Sequence, residues 1–225
     1  MKKILVVLFI LGSVQMQGQV LISLIFGEAL NSGKVEFGLE GGLNWSKISS
    51  METSNSLRTF NLGFYFDILL KDQWSLYTGV LVKSNLGVDE LTTNDLKFLA
   101  TDVYTENGNY AQEMKYFLVP ALLKYNFESK FYVEAGPQFG LMYSAWVEFN
   151  SDIDNKESRI REYNEDNINK FDAGLMAGFG YKFKKNHGMS LGIKYYYGLL
   201  DVYKDKSGTK NSSLFLKITV PIGAG

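Results

Sequence analysis

From Lys34 to Ile222 apolar residues alternate with polar or small ones at a period of two, the spacing that places successive side chains on opposite faces of a strand. In the first run Val35, Phe37, Leu39, Leu43 and Trp45 share one face, and Glu36, Gly38, Glu40, Gly42 and Asn44 share the other. The second run sets Phe60, Leu62, Phe64, Phe66 and Ile68 against Thr59, Asn61, Gly63, Tyr65 and Asp67. A third sets Trp74, Leu76, Val80 and Val82 against Tyr77, Gly79 and Lys83. The stretches "KYFLVPALLKYNF", "KFYVEAGPQFGLMYSAWVEF" and "FDAGLMAGFGYKF", with runs starting at Met189 and Leu214, continue the pattern and bring the predicted count to eight strands.

The connections have their own rhythm: long ("ISSMETSNSL"), tight ("LLKDQ"), very long (about Leu86 to Glu113), tight ("NFESK"), long (about Asn150 to Lys170), tight ("KKNHG") and long ("DVYKDKSGTKN"). An up-and-down meander with all long loops at one end produces this order, and outer-membrane barrels have that asymmetry. Period two alone leaves open whether the apolar face looks inward, as in a lipocalin-like barrel, or outward to lipid. The apolar face carries large side chains at nearly every position, more than an eight-stranded interior holds. The other face alternates glycine with charge, which suits a crowded lumen better than a soluble surface. Aromatics such as Trp45, Trp74, Tyr125, Phe127, Phe131, Tyr181, Phe183 and Tyr197 gather near strand ends, where interface girdles sit. The reading is therefore all-β: an eight-stranded antiparallel up-and-down transmembrane β-barrel.

Ahead of the alternation, "MKKILVVLFILGSVQMQGQ" has two lysines, an apolar run from Ile4 to Leu11 and then small and polar residues, the layout of a secretory signal. Residues 1–18 read as that signal, with cleavage after Gly18; Gly27 and Ala29 offer a second cut after Ala29. Residues 19–33 are expected to form a short helix at the periplasmic mouth, since Leu21, Ile25 and Ala29, and Ile22, Phe26 and Leu30, recur every four residues up to Gly33. Residues 34–225 are the barrel.

Composition narrows the chemistry. With 16 Phe, 14 Tyr, 22 Gly and only 3 Pro the chain leans toward strands. The absence of cysteine removes disulfides and thiol chemistry. With 23 basic and 24 acidic residues no global field favours nucleic acid. Beyond residue 33 no window approaches the ~20 apolar residues of a membrane helix.

The inward face carries Glu36, Glu40, Asp67, Glu134 and Asp172 against Lys83, Lys124, Lys182, Lys194 and Lys217. Unpaired charges in a narrow lumen are costly, so these ten are expected to neutralise one another as a polar network. Lys124 and Glu134 flank the "NFESK" turn at matching inward parity and are expected to pair. The lone histidine, His187, lies in a tight turn with no evident partner within the ~3 Å a general base requires. Asp152, Asp154 and Glu157 in "SDIDNKE" lack the glycine and final glutamate of a calcium loop. No catalytic residue, metal site or cofactor is assigned, and the chain is not read as an enzyme.

"VEFGLEGGLNWS", the pair "YFLVPALLKY" and "FYVEAGPQFGLM", and the late "FDAGLMAGFGYKF" resemble the small Bacteroidetes outer-membrane β-barrel family often labelled PorT-like. The resemblance spans nearly all of residues 34–222 and implies a signal-bearing eight-stranded barrel, mostly without assigned activity. The chain departs from many outer-membrane barrels in ending "ITVPIGAG" rather than with an aromatic residue. The expected protein sits in the outer membrane of a Gram-negative bacterium, both termini periplasmic, with a filled polar lumen and a structural or surface-binding role. A narrow porin or solute conduit is the alternative; an accessory of an envelope secretion machinery is implied only by the resemblance. Expected partners are outer-membrane lipid and, during insertion, the barrel assembly machinery; an envelope protein partner is left open and nucleic acid is not expected.

Overall fold

An alternating sheet can present one face to lipid only if it closes, because an open edge would leave N–H and C=O groups unpaired in the apolar layer. Closure is what the structure, a computed structural model, shows over the residues it describes, 33–153, 156–184 and 188–222. The strands are β1 (Val35–Ile48), β2 (Leu57–Lys71), β3 (Trp74–Val88), β4 (Asn109–Asn126), β5 (Phe131–Ile153), β6 (Lys156–Tyr163), β7 (Phe171–Lys182), β8 (Ser190–Tyr203) and β9 (Lys206–Pro221). A short helix α1 (Thr93–Leu99) precedes β4, and a 3₁₀ turn (Glu165–Asn167) precedes β7. No helix among the described residues is long and apolar enough to cross a membrane. The expected signal, the helix in 19–33 and His187 lie outside the described residues.

Antiparallel pairing runs β1–β2–β3–β4–β5–β7–β8–β9, and β9 returns to β1 from Gly38↔Pro221 to Ile48↔Asn211. Eight staves thus make the ring. The ninth strand corrects the expected count: β6, placed in a long loop by sequence, pairs with the far part of β5 from Trp146↔Tyr163 to Ile153↔Lys156. Its "KESRIREY" is polar on both faces, so it carries no apolar alternation to betray a strand. Likewise "DVYKDKSGTKN" is mostly hairpin, with Tyr203 opposite Lys206 across a two-residue turn.

Facing follows the predicted parity through the lower barrel. Leu123 and Phe179 are 48% and 58% exposed, while Tyr77 and Lys194 are 0% exposed. Tight turns through Asp72 and Lys130, both with positive φ, lie at the end where β1 begins and β9 ends.

At the other end the polarity inverts. On β4 the outward residues change from Phe117 and Val119 to Lys115 and Glu113, while Met114 and Gln112 turn in with 0% exposure. Register shifts between Leu81 and Ser84, and opposite Lys115/Tyr116 on β5, carry the neighbouring strands through the same switch. Once the wall leaves lipid, water is outside and apolar groups gain by facing in. Leu86, Val88, Met114, Val147 and Phe149 therefore form a core with Leu96 of α1. The lumen is polar near the tight turns and apolar beneath the loops, which corrects the expectation of a polar filling throughout.

Helix α1 seals this core through a capping box. The Asp95 N–H donates to Thr92 Oγ1 at 3.2 Å, and the Thr92 N–H donates to Asp95 Oδ2 at 2.9 Å. Asp95 also accepts the Glu52 and Thr53 N–H groups at 2.6 and 3.1 Å, tying α1 to the β1–β2 loop.

Above the Leu62↔Lys83 pair the β2–β3 ladder stops, apart from one bridge, Ser56↔Val88. There side chains bind β3 to β2 and, beyond it, to β1. Asn44 Nδ2 and Thr59 Oγ1 both donate to the Asn85 carbonyl at 2.9 Å. Ser84 Oγ donates to Asn61 Oδ1 at 2.7 Å, and the Gly87 N–H donates to Ser46 Oγ at 3.0 Å.

Candidate lumen charge network

Each inward charge is set by strand parity, and its partner by the staggered closure of the ring. Asp67 on β2 accepts Lys124 Nζ from β4 at 2.7 Å and Lys182 Nζ from β7 at 3.3 Å. Glu40 on β1 accepts Lys194 Nζ from β8 at 2.6 Å and the Tyr77 hydroxyl. Glu134 on β5 accepts Lys217 Nζ from β9 at 2.5 Å, with both side chains fully enclosed. Glu36 accepts the Tyr65 hydroxyl at 2.8 Å. Every one of these ion pairs joins strands that are not neighbours in the ring.

Tyrosine rings share this cross-section. The Tyr65 and Tyr77 rings stack at 5.5 Å, and Lys217 Nζ lies 3.9 Å from the Tyr77 centroid. Lys124 Nζ lies 4.2 Å from the Tyr132 centroid. Tyrosine rings thus supply the faces that cations favour where water is excluded. Tyr132 fits because Gly180 and Gly192 face it: a Cβ on either would meet its phenol. Tyr65 and Tyr77 fell at inward parity in the sequence, but only contact with the lysines shows that they belong to the network.

Eight of the ten expected residues join the network as ion pairs or through Tyr65: Glu36, Glu40, Asp67, Lys124, Glu134, Lys182, Lys194 and Lys217. Lys83 does not. It is exposed, with Nζ 5.9 Å from the Phe60 centroid, because the bulge before Ser84 turns it to the outer wall. Asp172 is inward but bonds to Asn211 Nδ2 at 2.9 Å, a neutral partner. Lys124 and Glu134 are directly opposite in the β4–β5 ladder, as parity required, yet each turns to a different ion partner, which corrects the expected pair.

Among the described residues no group of three or more His, Cys, Asp or Glu is placed to hold a metal ion. Asp152 and Glu157 face one another in the β5–β6 ladder, and Asp154 lies outside the described residues. At the loop end, a cavity of about 220 Å³ opens between α1, the 3₁₀ turn and the β8–β9 turn, with Leu99, Asn164, Asn167, Tyr203, Asp205 and Lys206 in its walls.

Comparison with known proteins gives a family match: the profile described as outer membrane protein beta-barrel domain matches residues 19–204. No curated protein matches the chain. Among solved structures, Ail, the attachment invasion locus protein of Yersinia pestis, is 15% identical, with 83% of this chain and 97% of that chain covered and a TM-score of 0.43. Neisserial surface protein A is 12% identical, with 82% and 96% covered and a TM-score of 0.39. OprG from Pseudomonas aeruginosa is 13% identical, with 84% and 93% covered and a TM-score of 0.34.

Proposed function

Because the chain belongs to the outer membrane protein beta-barrel domain family, we propose that it is a non-conducting barrel of the Gram-negative outer membrane, with a structural and surface-binding role and no catalytic step. The observation that carries this reading is the enclosed layer of Glu40, Glu134, Lys194 and Lys217 around Tyr77, which fills the lumen with side chains held by one another. An eight-stranded interior is just wide enough for such a filling, and an open pore needs a wider ring. In this reading the loop end faces outward and both termini are periplasmic, supported by the short turns at the terminal end. The cavity beside α1 is the concave surface such a role would use. The pair "LVPALLKY" and "EAGP" supports placing the chain in the PorT-like branch of the family.

Single-channel recording of the refolded protein in planar bilayers tests the proposal. The expected outcome is no resolved conductance steps. Steady steps that the Lys217→Met change alters would overturn it in favour of a narrow conduit.

A further inference from the structure

Four adjacent strands share a boundary. On β1 between Val35 and Lys47 the only charged residues are Glu36 and Glu40, both inward. Between Arg58 and Lys71 on β2 the only one is Asp67, and between Lys115 and Asn126 on β4 the only one is Lys124; both are inward. On β3 the stretch from Trp74 up to Lys83 has none. Going from the apolar belt toward the loops, the first outward charge is thus Lys47, Arg58, Lys83 and Lys115 in turn, and on all four strands it is basic. Across β5, whose Glu148 it binds, Arg161 of β6 stands beside Lys115 at Trp146.

All of these cations except Lys47 stand against aromatic rings. Arg58 Cζ lies 5.9 Å from the Trp45 centroid and Lys83 Nζ 5.9 Å from that of Phe60. Lys115 Nζ and Arg161 Cζ flank Trp146 at 5.0 and 4.6 Å. Two acids share the neighbourhood: Glu148 accepts Arg161 Nε at 2.7 Å, and Glu113 accepts Asn85 Nδ2 at 3.0 Å. The cations on β1, β2 and β3 have no carboxylate on the same outward stretch of wall.

Aromatic rings settle at the level of lipid headgroups, and cations beside them meet whatever charge those headgroups carry. We infer that the outward arc formed by Lys47, Arg58, Lys83 and Lys115, extended by Arg161, is a docking surface for the phosphate groups of an outer-leaflet glycolipid, whose acyl chains lie along the apolar belt beneath. Lysine and arginine bind phosphate by charge-assisted hydrogen bonds, whereas a neutral headgroup offers these cations no counter-charge. The inference rests on the outer-membrane placement of the barrel and not on its closed lumen, so a conducting lumen would leave it standing.

The test uses the full chain folded in a nonionic detergent, with bisphosphorylated lipid A, the same lipid after dephosphorylation, and inorganic phosphate as probes, and lipid retention read by native mass spectrometry. The parent is expected to retain the bisphosphorylated lipid and to lose the dephosphorylated one. A triple change of Arg58→Gln, Lys83→Gln and Lys115→Gln is expected to weaken retention about a hundredfold, at about fivefold for each surface cation. Lys34→Gln, Lys71→Gln and Lys184→Gln at the opposite end should leave it unchanged. Equal retention by the loop-end triple, equal loss in the opposite-end triple, or full competition by inorganic phosphate at the lipid's concentration would overturn the inference. So would self-association of the parent that depends on these cations and not on lipid. Should the triple fail to give the heat-modifiable migration of a folded barrel, equal retention of phosphorylated and dephosphorylated lipid by the parent would by itself overturn it.

Discussion

Lys217 has no exposure and three kinds of neighbour: the Glu134 carboxylate at 2.5 Å, the Tyr77 ring at 3.9 Å and the wall of the barrel. A buried ion pair adds little over a well-packed apolar replacement, but breaking it leaves one charge uncompensated. Lys217→Met alone is therefore expected to lower barrel stability by about 3–5 kcal/mol, and the double change with Glu134→Gln by clearly less. Urea unfolding in lipid vesicles, arranged as a double-mutant cycle, checks this. The same cycle on Lys124 and Glu134 should give a smaller coupling, since these two are ladder partners that bond elsewhere. The contrast shows what a strand pattern can tell about a side chain. Parity decides that a residue faces inward, whereas its partner depends on how far each strand is staggered when the ring closes.

At the scale of elements, α1 is seven residues long and owes its place to one carboxylate. Burial pushes the Asp95 carboxyl up, but N–H donors from Thr92, Glu52 and Thr53 outweigh it and hold it below its ordinary range. A lowered folded value means that the contribution is fully present above the ordinary carboxylate range and is lost as the pH falls through the folded value. Asp95→Asn should thus weaken the loop-end seal by about 1–3 kcal/mol at neutral pH and make little difference in strong acid. Limited proteolysis of residues 89–108 at several pH values reads this out. The long connection that holds α1 was legible as irregular, and strands β1–β5 and β7–β9 were legible from their alternation. Strand β6 was not, because outside lipid a strand needs no apolar face. The bulge that moved Lys83 to the outer wall was hidden for a related reason: one extra residue shifts parity without disturbing the look of the sequence on either side.

For the whole molecule, the ring is uneven in how its staves are joined. Its closing ladder is continuous from Gly38↔Pro221 to Ile48↔Asn211, whereas the β2–β3 ladder gives way above Leu62↔Lys83 to bonds from Asn44, Thr59, Ser46 and Asn61. Side-chain bonds can be removed without breaking a strand, so Asn44→Ala with Ser46→Ala should speed amide exchange in residues 84–88 while leaving the β1–β9 amides slow. Equal acceleration on both sides of β1 would contradict it. Of these two seams β2–β3 has the shorter backbone ladder, so under sideways stress the line that parts first falls within this hairpin rather than between the first and last strands. The two strands on either side of that line stay tethered through the turn at Asp72 and Gln73, so a wall that opened there would swing like a door on its hinge and find its own frame again.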